Sequence, residues 1–191
     1  WDLGKSFDTF CPMGPWVVTA DALDGTDTRV RHIVGLDGAR LVLAGHSAGA
    51  HLAALLTFDA SWLPAEVEVA GLVGLSGVYS LEAVASRRWM RANLLDAAFP
   101  HDPEVYRTGS PLNYVRAVPA RIWLSNVEVD WGLYRHTAWM REALEAVGKE
   151  VETSTQPERH HLDQMEHLGR ADDETTRRFV EFCRRVAEGS S

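Results

Sequence analysis

"LVLAGHSAGAHLAALL", residues 41–56, decides the fold. The apolar stretch "ARLVLAG" (39–45) ends in glycine, and "AGAHLAALLTF" (48–58) follows with strong helix formers and no breaker, so the pattern predicts strand, tight turn, helix. Between them stands Gly45-His46-Ser47-Ala48-Gly49, with a glycine two positions either side of a serine. A serine hydroxyl becomes a useful nucleophile only when a base takes its proton and the turn lifts it clear of its own backbone. A sharp strand-to-helix turn supplies the second condition and leaves little room for neighbouring side chains, so both glycines are expected to be sterically required. The Ala48 amide, in the first helical turn, would face a developing oxyanion, aided by the helix dipole. The same five residues also fit a plain packing turn, so the rest of the chain must supply the partners.

Three further strands are expected at "VEVAGLVGLSG" (67–77), "ARIWLSN" (120–126) and the more polar "KEVETSTQ" (149–156). Between the last two, "WGLYRHTAWMREALEAVG" (131–148) places Leu133, Ala138, Trp139, Leu144 and Val147 near helical spacing and stops at Gly148, a natural C-cap. The last helix, "DETTRRFVEFCRRVAEG", would turn Phe179, Val180, Cys183 and Val186 inward. Strands alternating with helices give an α/β protein with a mainly parallel sheet and flanking helices. Before Val30 the chain is turn chemistry ("CPMGPW", "DALDGTDT") around one short apolar stretch, "WVVTA".

In a sheet of this kind, the partners of a serine nucleophile follow it as acid and then histidine, each after a later strand. "NVEVDWG" (126–132) offers Glu128 and Asp130 beyond the third strand, and "TQPERHHLDQMEHL" (155–168) offers His160 and His161 beyond the fourth. A carboxylate orients the imidazole and stabilises its cation, while the imidazole takes the serine proton and returns it to the leaving group. Any one of these residues alone reads as a solvated loop side chain. The ordered set of three is what points to chemistry.

Bulk properties narrow the partners. The 191 residues suit one domain with a sizeable core. Nineteen basic against 27 acidic side chains give a net charge of −8, and no basic cluster is interleaved with aromatics, so nucleic acid and anionic membrane are not expected as partners. Cys11 and Cys183 are the only cysteines and lie far apart, which indicates neither a disulfide framework nor a zinc site and suits a reducing cytoplasm. No apolar run reaches the roughly 18 residues of a membrane span, and "WDLGKSFDTF" lacks the regions of a signal peptide, so the expected location is cytoplasmic. The chain begins at Trp1 rather than methionine, as a fragment or processed product would.

From about Val30 to Val186, "LVLAGHSAGAHLAALL", "GLVGLSGVYSLEAV", "SPLNYV", "VDWGLYRHTAWMREAL" and "RHHLD" together resemble the carboxyl-terminal part of a kynurenine formamidase-like or carboxylesterase-like α/β-hydrolase. The resemblance implies a partial α/β-hydrolase fold over 32–191, Ser47 as nucleophile and His161 as base, with His160 a neighbour. Counting along the strand from Pro119 puts Glu128 at the family's acid position; counting back from the helix at Arg135 falls between Glu128 and Asp130. Glu128 is favoured, with Asp130 the alternative. The resemblance further implies hydrolysis of a small-molecule ester or aryl formamide through an acyl-enzyme, without a cofactor or metal, and Trp89, Trp131, Tyr134 and Trp139 could wall an aromatic pocket.

The beginning departs from that family. No His-Gly-Gly type loop, which would donate the second oxyanion amide, precedes residue 41. Residues 4–31, "GKSFDTFCPMGPWVVTADALDGTDTRVR", instead resemble the fumarylacetoacetate hydrolases, metal-dependent enzymes of a β-rich fold. Residues 1–31 are expected to be a segment rather than an independent domain. By that resemblance Lys5 would be an active-site lysine, but the acidic ligands that precede it in that family are missing, so it reads as a surface side chain. A sheet beginning at the nucleophile strand exposes an edge that invites pairing into a homo-oligomer. Loss of one oxyanion donor costs about 2.7–4 kcal/mol of transition-state stabilisation; the Gly14 amide or a neighbour is a candidate substitute. The readings left standing are a serine hydrolase, a catalytically impaired fusion or truncated protein with a structural or associative role, and, as the remotest, a fumarylacetoacetate hydrolase-like metal enzyme.

Overall fold

The computed structural model describes residues 40–63, 67–96 and 99–189. Lys5, Cys11, Gly14, "WVVTA" and the 1–31 segment, for which the sequence raises expectations, lie outside them. Four strands, β1 (Arg40–His46), β2 (Glu68–Leu75), β3 (Arg121–Val129) and β4 (Glu152–His160), form one sheet in the order β1-β2-β3-β4, every pair parallel. Helix α1 (Ala48–Phe58) joins β1 to β2 and α5 (Tyr134–Ala146) joins β3 to β4. Between β2 and β3 run three short helices, α2 (Leu81–Ala85), α3 (Arg88–Met90) and α4 (Pro103–Thr108), with a π-helical turn at Arg91–Leu95. After β4 come α6 (Asp163–His167) and α7 (Glu174–Ala187). The expected α/β class, a mainly parallel sheet with flanking helices, holds.

The central strands are apolar on both faces because both faces are covered. Leu72, Ile122 and Leu124 point into one core with Ala53, Ala54 and Phe58 of α1 and Met140 and Leu144 of α5. Val73 and Trp123, one residue out of phase, point into the opposite core with Phe182 and Val186 of α7. A third cluster, Val78, Leu81, Val84, Met90, Leu95, Tyr106 and Leu133, packs the β2–β3 crossover onto the start of the α5 segment. Each buried Leu, Val or Phe contributes about 1.5–3 kcal/mol by leaving water. β4 is polar because it is an outer strand of this sheet: only Gln156 within it is buried.

Two helices differ from the expected phase. The inward face of α5 and the turn before it is Leu133, His136, Thr137, Met140 and Leu144, while Trp139 and Val147 are exposed. In α7 the buried residues are Thr175, Phe182 and Val186; Val180 is exposed, and Phe179 and Cys183 are half-buried. Gly148 does end α5 as expected: its φ is +74°, its amide donates to Glu145 O (3.0 Å) and the Lys149 amide to Leu144 O (2.9 Å), a Schellman closure.

Candidate active site

The carboxyl ends of the strands hold the predicted residues. Ser47 follows β1 directly with φ 55° and ψ −114°, a conformation that L side chains rarely adopt and that the surrounding structure must enforce. Its amide donates to Leu75 O (2.8 Å), continuing the β1–β2 ladder one residue, and its carbonyl accepts from the His51 amide (3.1 Å). Gly45 is sterically required: a Cβ there would overlap the Gly49 carbonyl group and come 2.5 Å from the Ala50 amide nitrogen. Gly49 is not, since a Cβ there meets nothing within 4 Å. The expectation of two obligatory glycines is corrected to one, because the strand-side residue faces the helix backbone whereas the helix-side residue faces open space. Ala48 is the exposed first residue of α1, where a helix leaves its amides without intrahelical partners.

Beyond β3, Asp130 and not Glu128 meets the histidine. Asp130 is buried, and its Oδ1 lies 2.6 Å from His161 Nδ1, while its Oδ2 accepts from Asn126 Nδ2 (2.7 Å). A carboxylate only accepts, so the His161 proton sits on Nδ1 and Nε2 is left as a lone pair. Glu128 is exposed, and its Oε2 accepts the Glu158 amide at 2.7 Å. The reason is strand length. β3 runs to Val129 rather than 126, and across the β3–β4 register shift Val127 pairs with Gln156 but Val129 with His160. Glu128 therefore faces the bulge, where Glu158 has φ 56°, and serves its backbone. Glu128, the carboxylate favoured in the sequence, is thus not the one that contacts His161; the alternative, Asp130, is. His160 closes β4, exposed, with its amide on Asp163 Oδ2 (2.8 Å); the buried histidine is His161.

The turn carrying Ser47 and the segment carrying His161 touch through His46. The His46 ring lies 4.4 Å from that of His161, and its Nε2 donates to the His161 carbonyl at 2.9 Å. On another side the Trp131 ring, also 4.4 Å away, packs on His161. Burial, then the nearby His161, pushes His46 down to about 4, so it is neutral at physiological pH. No hydrogen bond joins the Ser47 hydroxyl to His161. Such contacts are often long before substrate binds. Beneath, Gln164 Oε1 accepts from Ser76 Oγ (2.9 Å) and its amide nitrogen donates to Ser125 Oγ (3.4 Å), tying α6 to the end of β2 and the middle of β3. His136 Nδ1 accepts the Tyr79 and Ser80 amides (3.1 and 3.2 Å), and burial first, then Arg87, pushes it down to about 4.

Sequence reading missed His46, Asn126, His136 and Gln164. His46 lies inside the quoted motif and was the one legible in principle. The four aromatics do not form a shared wall. Trp131 packs on His161 and Trp139 on His136, whereas Trp89 and Tyr134 are mostly exposed. Among the described residues, no group of His, Cys, Asp and Glu could hold a metal, and no helix is long and apolar enough to cross a membrane. A hollow of about 770 Å³ opens at the amino ends of β2, β3 and β4, lined by Arg121, Lys149 and Glu152. Ligands of open parallel sheets bind at the opposite, carboxyl ends.

Comparison with known proteins supports the fold. Esterase B from Lactobacillus rhamnosis superposes with a TM-score of 0.62 at 17% identity, over 78% of this chain and 54% of its own. The acetyl ester-xyloside bifunctional hydrolase from Caldicellulosiruptor lactoaceticus gives 0.54 at 20% identity, over 76% of this chain and 55% of its own. The Pyrococcus horikoshii acylaminoacyl peptidase gives 0.63 at 19%, over 78% of this chain and 24% of its own. The chain thus spans about half the length of the esterases, and less of the peptidase. The model of the fumarylacetoacetate (FAA) hydrolase C-terminal family matches residues 1–48, past the expected boundary at 31 and into the strand and turn that carry Ser47. No curated protein sequence matches the chain.

Proposed function

We propose that this chain carries the machinery of a serine hydrolase acting on small carboxylic esters or aryl formamides, and that Ser47, His161 and Asp130 are its triad. The observation that carries the reading is the buried 2.6 Å pairing of Asp130 with His161 Nδ1, with the Ser47 turn held against it by His46. In this reading Ser47 Oγ attacks the substrate carbonyl as His161 Nε2 takes its proton, and Asp130 stabilises the imidazolium that results. The Ala48 amide donates to the oxyanion. His161 then protonates the leaving alcohol or amine, and water repeats the cycle on the acyl-Ser47 ester. The esterase names among the structural relatives support the ester class; formamide is the narrower expectation from the sequence.

A fluorophosphonate probe should label Ser47 in the folded protein, and Ser47→Ala should abolish labelling. Asp130→Asn should lower ester turnover roughly 10³–10⁴-fold, while Glu128→Gln should leave it within tenfold. Absent labelling, or equal effects of the two carboxamides, would overturn the assignment. A second reading, a catalytically impaired protein with a structural or associative role, takes the absent Ser47–His161 hydrogen bond as permanent rather than as a feature of the substrate-free site. Folded protein with no turnover, unchanged by Ser47→Ala, would establish it.

A further inference from the structure

The turn that carries Asp130 also walls a small cavity that the hydrolytic chemistry leaves unused. Trp131 packs on His161, and the next residue, Gly132, lines a cavity of about 100 Å³ together with Arg87, Met90, Arg135, His136 and Trp139. A space of this kind holds several waters or one acetate-sized group. Its donors are unusual. Arg87 Nη1 lies close against the turn, 3.2 Å from where a Cβ on Gly132 would sit, and its one polar contact is a weak one to Met90 Sδ at 3.7 Å. Arg135 donates through Nε to the neighbouring Tyr134 hydroxyl at 3.3 Å. Neither guanidinium is in an ion pair with a carboxylate among the described residues.

His136 supplies the independent observation. It is 4% exposed, and Nδ1 is occupied as acceptor of two backbone amides, so the proton of the neutral ring is on Nε2. That N–H has no hydrogen-bond partner among the described residues and, unlike the rest of the ring, is open to solvent at the cavity. Two cations and the N–H of a buried ring thus share one hollow that lacks a carboxylate; its other polar lining is Ser86, whose hydroxyl donates to Ala83 O (2.7 Å). Like charges so placed repel until an anion joins them, and a planar, bidentate oxyanion matches the guanidinium fork. The nearby Asp130 carboxylate does not fill that role, since both its oxygens are committed to His161 and Asn126.

We propose that this cavity binds a carboxylate group through Arg87, Arg135 and His136. The group is either a free small carboxylate or the carboxylate arm of a substrate; only the second source rests on the hydrolase reading. The direct test titrates sodium acetate, at constant ionic strength, into the isotope-labelled 191-residue chain while the His136 ring resonances are followed. A saturable shift is expected in the wild type and at least roughly tenfold weaker binding in Arg87→Gln/Arg135→Gln. No saturable shift, or equal affinity in the double variant, overturns the site. Both arginines are exposed, so these variants should fold. A second arm compares p-nitrophenyl hemisuccinate with p-nitrophenyl butyrate. A substrate-arm site predicts that the double variant loses roughly tenfold in the kcat/KM ratio of the charged to the neutral ester, with the neutral ester unaffected. An unchanged ratio with acetate binding lost assigns the site to a free carboxylate. If neither ester is turned over, the hydrolase reading fails while the acetate titration still decides the site.

Discussion

Gly45 and Gly49 look alike in the sequence and do different things. A Cβ on Gly45 would overlap the Gly49–Ala50 peptide in the first turn of α1, so Gly45→Ala forces strand and helix apart. Gly49 stands in a helix with open space where its side chain would be, and there glycine only costs conformational entropy. Gly45→Ala should destabilise the fold by about 2–3 kcal/mol or more, whereas Gly49→Ala should be neutral or stabilise by up to about 1 kcal/mol. Urea denaturation of both variants checks the pair; equal midpoints would contradict the geometry. Ser47 was readable because an apolar strand, a glycine and a helix-forming run meet there without ambiguity. Asp130 was not, because what selects it over Glu128 is a bulge whose left-handed residue is Glu158 rather than a glycine, which leaves no mark in the sequence.

At the scale of elements, the outcome turned on which neighbours a strand or helix has. β2 and β3 announced themselves as apolar runs because helices cover both their faces. β4, at the sheet's edge, kept only a weak signal, and its start was read early and its end four residues short. In α7 the sequence offers two rival inward stripes, one through Val180 and one through Phe182, and the sheet chooses the second because Phe182 fits beside Trp123 and Val73. Phe182→Ala should therefore cost about 3–5 kcal/mol, and Val180→Ala no more than about 0.5 kcal/mol. Comparable shifts in thermal midpoint for the two would mean that the helix sits in the other phase. The Arg185–Glu152 bridge between α7 and β4, at 2.7 Å but partly exposed, adds at most about 1 kcal/mol to that docking.

For the whole molecule, three histidines set a common pH response. Burial lowers His46, His51 and His136, the first and last to about 4 from an ordinary 6.5. Each binds its proton more readily in the unfolded chain, so stability rises with pH between about 4 and 6.5 and falls on acidification through that window. Thermal melts should show Tm dropping by at least about 5 °C from pH 7 to pH 4.5. A flat Tm over that range would mean that these rings are hydrated in solution.

The strand order carries one more consequence, for the order of assembly. Among the described residues each strand pairs only with strands adjacent to it in sequence, so a growing chain can close β1 on β2, then β3, then β4, as each emerges. The junction that completes the site is of another kind: His46 and His161 meet across 115 residues. Loop-closure entropy makes such a contact slow to form. The scaffold is thus able to exist before the chemistry does, and the residues that would make it reactive come together only when nearly the whole described chain is in place.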